Sequence, residues 1–391
     1  MRRSKWLAVF WILPLILTVF SADSKTSGDA FTDEGIALGE TLMFPDGMPA
    51  IRPQISSLGS DEAPGGLVTQ PVEMVAPFTG PGSPSRTDER WNIAGADLGF
   101  SFEGDGNIYM VFGDTWGRSG TEGPDWRSNT MVVVEPDGTH GFVVTDAISD
   151  ENGDAIELLP SLKQAKQEYT VIPTAGLVID DRMYLHYLSV NDWDRHWWGY
   201  KEPIPNGSGL AYSDDQGQTW TKAETATWPG DSPFAQAAMV QRGDFVYVFG
   251  TPAGRFGAAQ LFRVESDHLL EPEEYQYWTG DGWSSDASLA AEVVPAPVGE
   301  LSVRWSSYHQ RWLMMYTNEI THASVLRTAE QLTGPWSPEE VVVAADKYPT
   351  SYGPLMLPIA GPEVYFTMSI FEPDYQVYLM RLSLDDGLQT E

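Results

Sequence analysis

The chain has 391 residues, 42% hydrophobic and 12% aromatic, enough to bury a large core. Its formal net charge of −32 argues against nucleic acid and anionic membrane surfaces as partners, because phosphates are met with Lys and Arg. With no cysteine neither disulfides nor lipoprotein attachment is open to it, and a neutral polymer is the partner that fits best.

Met1–Ala22 reads as an export signal. Arg2, Arg3 and Lys5 precede the apolar run Trp6–Phe20, and Val19, Ser21 and Ala22 offer small residues for cleavage. The run is short for a membrane span, so the expected location is secreted, or envelope-anchored if the segment stays uncleaved. Residues 23–66 are polar, acidic and rich in Gly, Pro and Ser, and read as a flexible linker. Leu67–Phe78 is a candidate strand that opens the folded domain, placed at 67–386.

From Trp91 a strand, a turn and a second aromatic-rich strand recur five times. The second strands are Ile108–Asp114, Met183–Ser189, Phe245–Thr251, Trp312–Asn318 and Val364–Ser369. The turns before them are GDGN, DDR, RGD, HQR and GPE, all rich in residues that tolerate left-handed or tight backbone. Each unit adds further short strands, such as Thr130–Glu135, Gly209–Ser213 and Gln376–Ser383. The spacing predicts an all-β, five-bladed β-propeller with Leu67–Phe78 closing the ring. No amphipathic helix is predicted outside the signal.

The stretch Gly95–Trp116, GADLGFSFEGDGNIYMVFGDTW, holds the candidate chemistry. Asp105-Gly106 is a strong type I′ hairpin signal. A turn centred there sets Phe102 opposite Tyr109, Phe100 opposite Val111, and Asp97 opposite Asp114. Opposed side chains lie about 4.5–5.5 Å apart at Cβ. No Lys or Arg lies nearby in sequence to offset the two charges. Such a pair splits its pKa values, one carboxyl keeping a proton while the other ionises, which is what glycoside hydrolysis needs. Two solvated carboxylates at a strand end, in a slipped register, would give the same pattern. In the other blades the position of Asp114 holds Ser189, Thr251, Asn318 or Thr317, and Ser369, so the acid is particular to blade one. Both aspartates fall at the rim where inner strands begin and second strands end.

Loops after the second strands line the same rim. The first carries Trp116, Arg118 and Trp126, and the second is NDWDRHWWGY, Asn191–Tyr200. Trp116, Trp193 and Trp197 suit the apolar faces of sugar rings, and Asp192, Asp194 and Arg195 suit hydroxyls; part of this aromatic density is expected to pack the loop onto the propeller. Blade four offers Arg304 and Trp305 on its inner strand, and a turn centred on His309-Gln310 would set Glu300 opposite Glu319. That pair could supply an acid, though a solvent-facing role is the simpler expectation. Tyr352 begins the inner strand of blade five and is expected to point into the site. The segment SDDQGQTW, Ser213–Trp220, matches the Asp-box pattern, whose mechanics are structural: Asp215 bonds turn amides, Gly217 takes a strained angle and Trp220 packs between blades.

The six histidines show no metal spacing. No metal site and no cofactor is predicted, and DENGD at Asp150–Asp154 is the sole calcium-like hint. His186 lies mid-strand as a core or channel residue. Phosphate-binding glycine loops, serine elbows and cysteine nucleophiles are lacking.

The run GADLGFSFEGDGNIYMVFGDTWG, with the Asp box and the blade-four strand, resembles a family of secreted bacterial propellers long catalogued as a domain of unknown function. The resemblance spans roughly Trp91 to Leu384 and is most specific at D-L-G and F-G-D-T. Some members are endo-acting D-arabinofuranases that cut the arabinan of mycobacterial arabinogalactan and lipoarabinomannan. The resemblance implies that the paired acids are Asp97 and Asp114. The expected function is therefore a secreted, monomeric glycoside hydrolase, endo-acting on a D-arabinan-type polysaccharide. Asp97 and Asp114 would be catalytic, and Trp116, Asp192, Trp193, Trp197, Arg304, Trp305, Glu319 and Tyr352 would bind substrate. The alternative is a non-catalytic carbohydrate-binding propeller; a sialidase fits less well, because no triad of inner-strand arginines is evident.

Overall fold

Left-handed turn residues set the strand spacing. Asp105 and Gly106 have φ of 52° and 78°, and Asp180 and Asp181 have φ of 47° and 66°, the doubly positive pattern of type I′ hairpins. The computed structural model describes residues 68–69, 71–121, 123–197 and 200–385. The export signal and the whole linker, 23–66, lie outside the described residues.

Five antiparallel sheets follow one another along the chain. Their inner strands are Gly95–Gly104, Thr170–Ile179, Gln236–Arg242, Leu301–Ser306 and Ser351–Met356. Successive inner strands touch, and the fifth touches the first, so the sheets form the blades of a five-bladed β-propeller. Each second strand falls where the repeat placed it: Asn107–Trp116, Arg182–Trp197, Phe245–Thr251, Arg311–Asn318 and Glu363–Ile370. The ring closes through Glu73–Pro77, which pairs with Gln376–Asp385. Beside that seam Phe78 N–H donates to the Val377 carbonyl at 2.7 Å, and Thr79 Oγ1 donates to Gln376 Oε1 at 2.8 Å.

Alternating apolar residues bury the faces between blades. Phe102, Tyr109, Met131, Leu185 and Tyr352 form one such cluster, and Phe249, Trp312, Met314 and Tyr316 belong to another. His186 is fully buried, its ring nitrogens 2.7 Å from Thr174 Oγ1 and 3.2 Å from the Phe234 carbonyl. Burial lowers its pKa to about 4, so it is a neutral core residue, as expected. Ser213–Trp220 forms a self-bonded turn. Asp215 Oδ1 accepts from Thr219 N–H at 2.9 Å, Gly217 has φ of 86°, and Trp220 Nε1 donates to the Gly217 carbonyl at 3.0 Å.

Two local expectations are corrected, and one short helix is added. Asn191–Tyr200 is not a loop: the strands Arg182–Trp197 and Tyr200–Ser213 stay paired out to Trp197 and Tyr200, making a long hairpin. A five-residue helix, Thr87–Trp91, precedes blade one, with Asp88 and Glu89 in its first turn, where they complement the helix dipole. In blade four Leu301 pairs with Tyr316 and Arg304 with Leu313. The turn is thus centred on Tyr308-His309, one residue early, and Glu300 does not stand opposite Glu319. The calcium-like DENGD is a turn closed on itself, Asp150 Oδ1 accepting from the backbone N–H groups of Asn152 and Asp154 at 2.8 and 3.1 Å.

Candidate active site

The first hairpin keeps the predicted register from its turn to Phe100, which pairs with Val111. It then breaks twice. Leu98 pairs with Phe112 and Ala96 with Thr115, so Asp97 alone stands against the two residues Gly113 and Asp114, a β-bulge. Leu98 and Gly99 turn the strand there, with φ of 64° and 99°. The Leu98 N–H bonds Ser369 Oγ of blade five at 2.7 Å. A simple opposed pair of aspartates is therefore corrected to a bulged one. Gly113 makes room for it, since a Cβ there would lie 2.4 Å from Asp97 Oδ1.

Asp97 and Asp114 are both half-buried, and their carboxyls differ in company. Asp97 Oδ2 accepts from the Tyr352 hydroxyl at 2.8 Å, while Oδ1 is closed to solvent and has no hydrogen-bond partner. Desolvation, then the Asp114 charge, raises Asp97 to about 7, against the opposing pull of the Tyr352 and Tyr375 hydroxyls. Asp114 Oδ1 accepts from Trp126 Nε1 at 3.0 Å and from Thr170 Oγ1 at 2.7 Å. Desolvation raises Asp114 to about 6, offset first by Thr170 and Trp126 and then by the Lys163 charge. The two sites titrate as a pair, both raised by burial.

A second ring of residues fixes Tyr352. Desolvation and then the Asp97 charge push its phenol well above the usual range, so it stays a donor. The Arg255 guanidinium lies 4.6 Å from the Tyr352 ring centre. Arg255 Nε donates to Glu300 Oε1 at 2.8 Å and Oε2 at 3.0 Å, and Nη1 lies 3.5 Å from Glu319 Oε2. Glu319 is 7% exposed, so the solvent-facing expectation is corrected: Arg255 gathers both glutamates.

An aromatic wall continues outward. Trp116 stacks on Trp126 at 5.5 Å, Tyr375 meets Trp116 edge-on at 6.2 Å, and Tyr169 lies 5.2 Å from Trp126. Lys163 Nζ sits 4.5 Å over the Trp126 ring.

Of the expected site residues, Asp97, Asp114, Trp116, Glu319 and Tyr352 come together. Asp192 and Trp193 do not join them on any contact seen here: Asp192 Oδ1 accepts from the Trp193 N–H at 2.8 Å, and Trp193 packs against Leu188, Val190 and Ala235. The Trp197 side chain, at the hairpin end, lies outside the described residues. Arg304 and Trp305 are elsewhere. Arg304 donates to the Ser101 carbonyl, to Ser101 Oγ at 2.8 Å and to the Met356 carbonyl at 3.3 Å. Ser101 is four residues down the inner strand from Asp97, about 13 Å at strand rise. Trp305, further along, is edge-on to Trp312 at 5.4 Å. Both sit toward the opposite mouth, as their late position in an inner strand dictates.

Sequence reasoning missed Tyr375, Tyr169, Thr170 and Arg255. Thr170 opens an inner strand, a rim position that the blade repeat marks; Arg255 follows a second strand, in a loop of the kind already searched for aromatics. Tyr375 and Tyr169 carry no comparable signal.

A family profile described as "Domain of unknown function (DUF4185)" matches residues 82–381. The chain belongs to this family. The DUF4185 match takes in the bulged hairpin, Arg255, Tyr352 and Tyr375, and begins after the ring-closing strand Glu73–Pro77. Notoamide biosynthesis cluster protein J of Aspergillus sp. (strain MF297-2) is 32% identical over 287 residues, covering 67% of this chain and 74% of that protein. Its counterpart J′ of Aspergillus versicolor is 31% identical over 288 residues, covering 67% and 75%. A crystal structure of a hydrolase candidate from Bacteroides ovatus ATCC 8483 superposes with a TM-score of 0.53 at 14% identity, over 75% of this chain and 86% of that one. That last likeness shows the fold alone.

Proposed function

We propose that this DUF4185 protein is a glycoside hydrolase whose acid is Asp97 and whose second carboxylate is Asp114. The observation that carries the reading is the bulge that sets two half-buried carboxyls side by side against an aromatic wall, where burial raises both. We assign the acid to Asp97, because burial and the neighbouring Asp114 charge favour its protonated form, as delivery of a proton to a glycosidic oxygen requires. Asp114 is then the ionised partner. Trp126 and Thr170 hold its Oδ1, which fixes the carboxylate plane and leaves Oδ2 to act at the anomeric carbon or on water. Trp116 and Tyr375 would border the sugar. The resemblance of the first hairpin to endo-D-arabinofuranases supports an exported, endo-acting enzyme on D-arabinan, working as a monomer without a cofactor.

A sialidase would need several arginines free to grip a carboxylate. Arg255 is taken by two glutamates and Arg304 lies toward the other mouth, which favours setting that reading aside. A second reading is a non-catalytic carbohydrate-binding propeller that uses the same aromatic wall. The test is product release from arabinogalactan, plant α-L-arabinan, a sialoside and aryl glycosides. Short arabinan fragments support the leading reading. Turnover of aryl glycosides alone moves the substrate to a small molecule, and retention of glycan without any product makes the protein a binding module.

A further inference from the structure

The face away from Asp97 and Asp114 carries a second concentration of tryptophan and arginine. Arg242 ends the inner strand of blade three, Tyr247 lies on the second strand, Arg263 on Ala259–Glu265 and Trp278 on Gln276–Trp278. Tyr247 pairs with Arg263, and Arg263 with Gln276, so one row of side chains crosses the blade on a single face. Trp278 is two residues from Gln276 and shares that face, with Trp283 directly across from it. Arg242, Tyr247, Arg263, Trp278 and Trp283, with Gln331–Thr333 of blade four, line a half-open cavity of about 210 Å³.

Its charge runs against that of the chain. The Arg263 guanidinium lies 4.3 Å from the Trp283 ring centre and 4.6 Å from that of Phe245, and its Nε donates to Gln276 Oε1 at 3.0 Å. Arg242 lies 5.8 Å over Trp312. Among the described residues neither has a carboxylate at ion-pair distance, although the sequence holds 55 Asp and Glu against 23 Lys and Arg. Arg182, Arg255, Arg327 and Arg381 each have such a partner. Two guanidiniums facing one cavity without an acid offer forked donors to an oxyanion. The tryptophan and tyrosine rings offer walls that inorganic anions do not need. The volume is below the roughly 300–1,000 Å³ of drug-sized ligand sites, which suits one ring and not a chain.

We propose that this cavity binds a single sugar ring bearing an oxyanion, a carboxylate or a phosphate, between Arg242 and Arg263 with Trp278, Trp283 and Tyr247 around it. The site is separate from the carboxylate pair and stands whether or not that pair is catalytic.

The test is calorimetric titration of the full chain, at low salt, with D-glucuronate, glucose 6-phosphate, inorganic phosphate and D-glucose. Saturable binding of glucuronate, glucose 6-phosphate or both is expected, with D-glucose and phosphate at least tenfold weaker. Which of the two sugars binds identifies the source of the oxyanion. Replacing both Arg242→Gln and Arg263→Gln should weaken binding at least tenfold. Arg242→Glu, at an exposed position, should do the same without touching the packing of Arg263. Asp97→Asn should bind as wild type. Absence of saturable binding to either anionic sugar, phosphate binding as tightly as glucose 6-phosphate, or unchanged binding by the Arg242→Glu protein would overturn the proposal.

Discussion

The Tyr352 hydroxyl donates to Asp97 Oδ2 at 2.8 Å, across 255 residues of sequence. The bond joins the inner strands of the first and fifth blades at one rim, and it stabilises the charged form of a carboxyl that burial drives toward neutrality. Tyr352→Phe removes that donor and keeps the ring. A hydrogen bond to a charged group contributes about 1.5–3 kcal/mol, and one pH unit is about 1.4 kcal/mol. Asp97 should therefore titrate roughly 1–2 units higher, and the alkaline limb of a pH–rate profile should move up with it. An unmoved limb would take Asp97 out of the acid role.

Trp126→Phe is the matching change at the other carboxyl. It removes the N–H that bonds Asp114 Oδ1 and preserves a ring to stack on Trp116. Loss of a donor to the charged form raises Asp114, so the acid limb should shift upward while the alkaline limb stays nearly in place. Profiles of both variants would separate the two carboxyls, which otherwise titrate together.

Asp97→Asn separates catalysis from stability. The folded pKa of Asp97 is raised from 3.8 to about 7, so folding favours its protonated form. Its contribution is fully present below the unfolded value and is lost as pH rises through the folded one. The wild type should lose stability between about pH 4 and 7 on this account. Asp97→Asn should flatten that slope and melt at or above the wild-type temperature at pH 8, with turnover down about 10²–10⁴-fold. Thermal melts across pH and initial rates provide the check.

Gly113→Ala places a Cβ 2.4 Å from Asp97 Oδ1. The carboxyl must rotate away or the bulge must open. Misplacing a reacting group by about 1 Å can cost roughly a hundredfold in rate, so turnover should fall by about that factor while the far-ultraviolet circular dichroism is unchanged. A fully active Gly113→Ala protein would mean that the present Asp97 geometry is not the working one.

Arg255→Ala strands two glutamates. Glu319 is buried, and both Glu300 oxygens accept from the Nε of the lost guanidinium. Breaking one side of a buried pair costs about 3–5 kcal/mol, so this variant should melt well below wild type in thermal denaturation. Arg255→Lys should recover part of the loss, since an ammonium cannot reproduce the fork.

The blades were legible because their turns carry local chemistry. Asp105-Gly106 and Asp180-Asp181 announce hairpins by themselves, and the alternating aromatics behind them give the period. Asp97 and Asp114 were legible for the same reason, being measured from a well-placed turn. The bulge between them was not, since it depends on Leu98 bonding Ser369 at the far end of the chain. Blade four shows the limit of such counting. Its turn carries no positive-φ pair, the centre moved by one residue, and Glu319 went from an opposed acid to a partner of Arg255. Arg304 and Trp305 were misplaced by composition: residues suited to a site were valued over their late position in an inner strand, which sets them toward the other mouth. Tyr375 reaches Asp97 only through the closed ring, and Tyr169 reaches Trp126 from the neighbouring blade.

The most direct test of the carboxylate pair is reducing-end release from arabinogalactan by wild type, Asp97→Asn and Asp114→Asn under identical conditions. The account predicts short arabinan fragments with wild type and a loss of at least a hundredfold in both variants, all three folded alike. Fragment release by Asp97→Asn and Asp114→Asn at the wild-type rate, or no release from any glycan by the wild type, would contradict it.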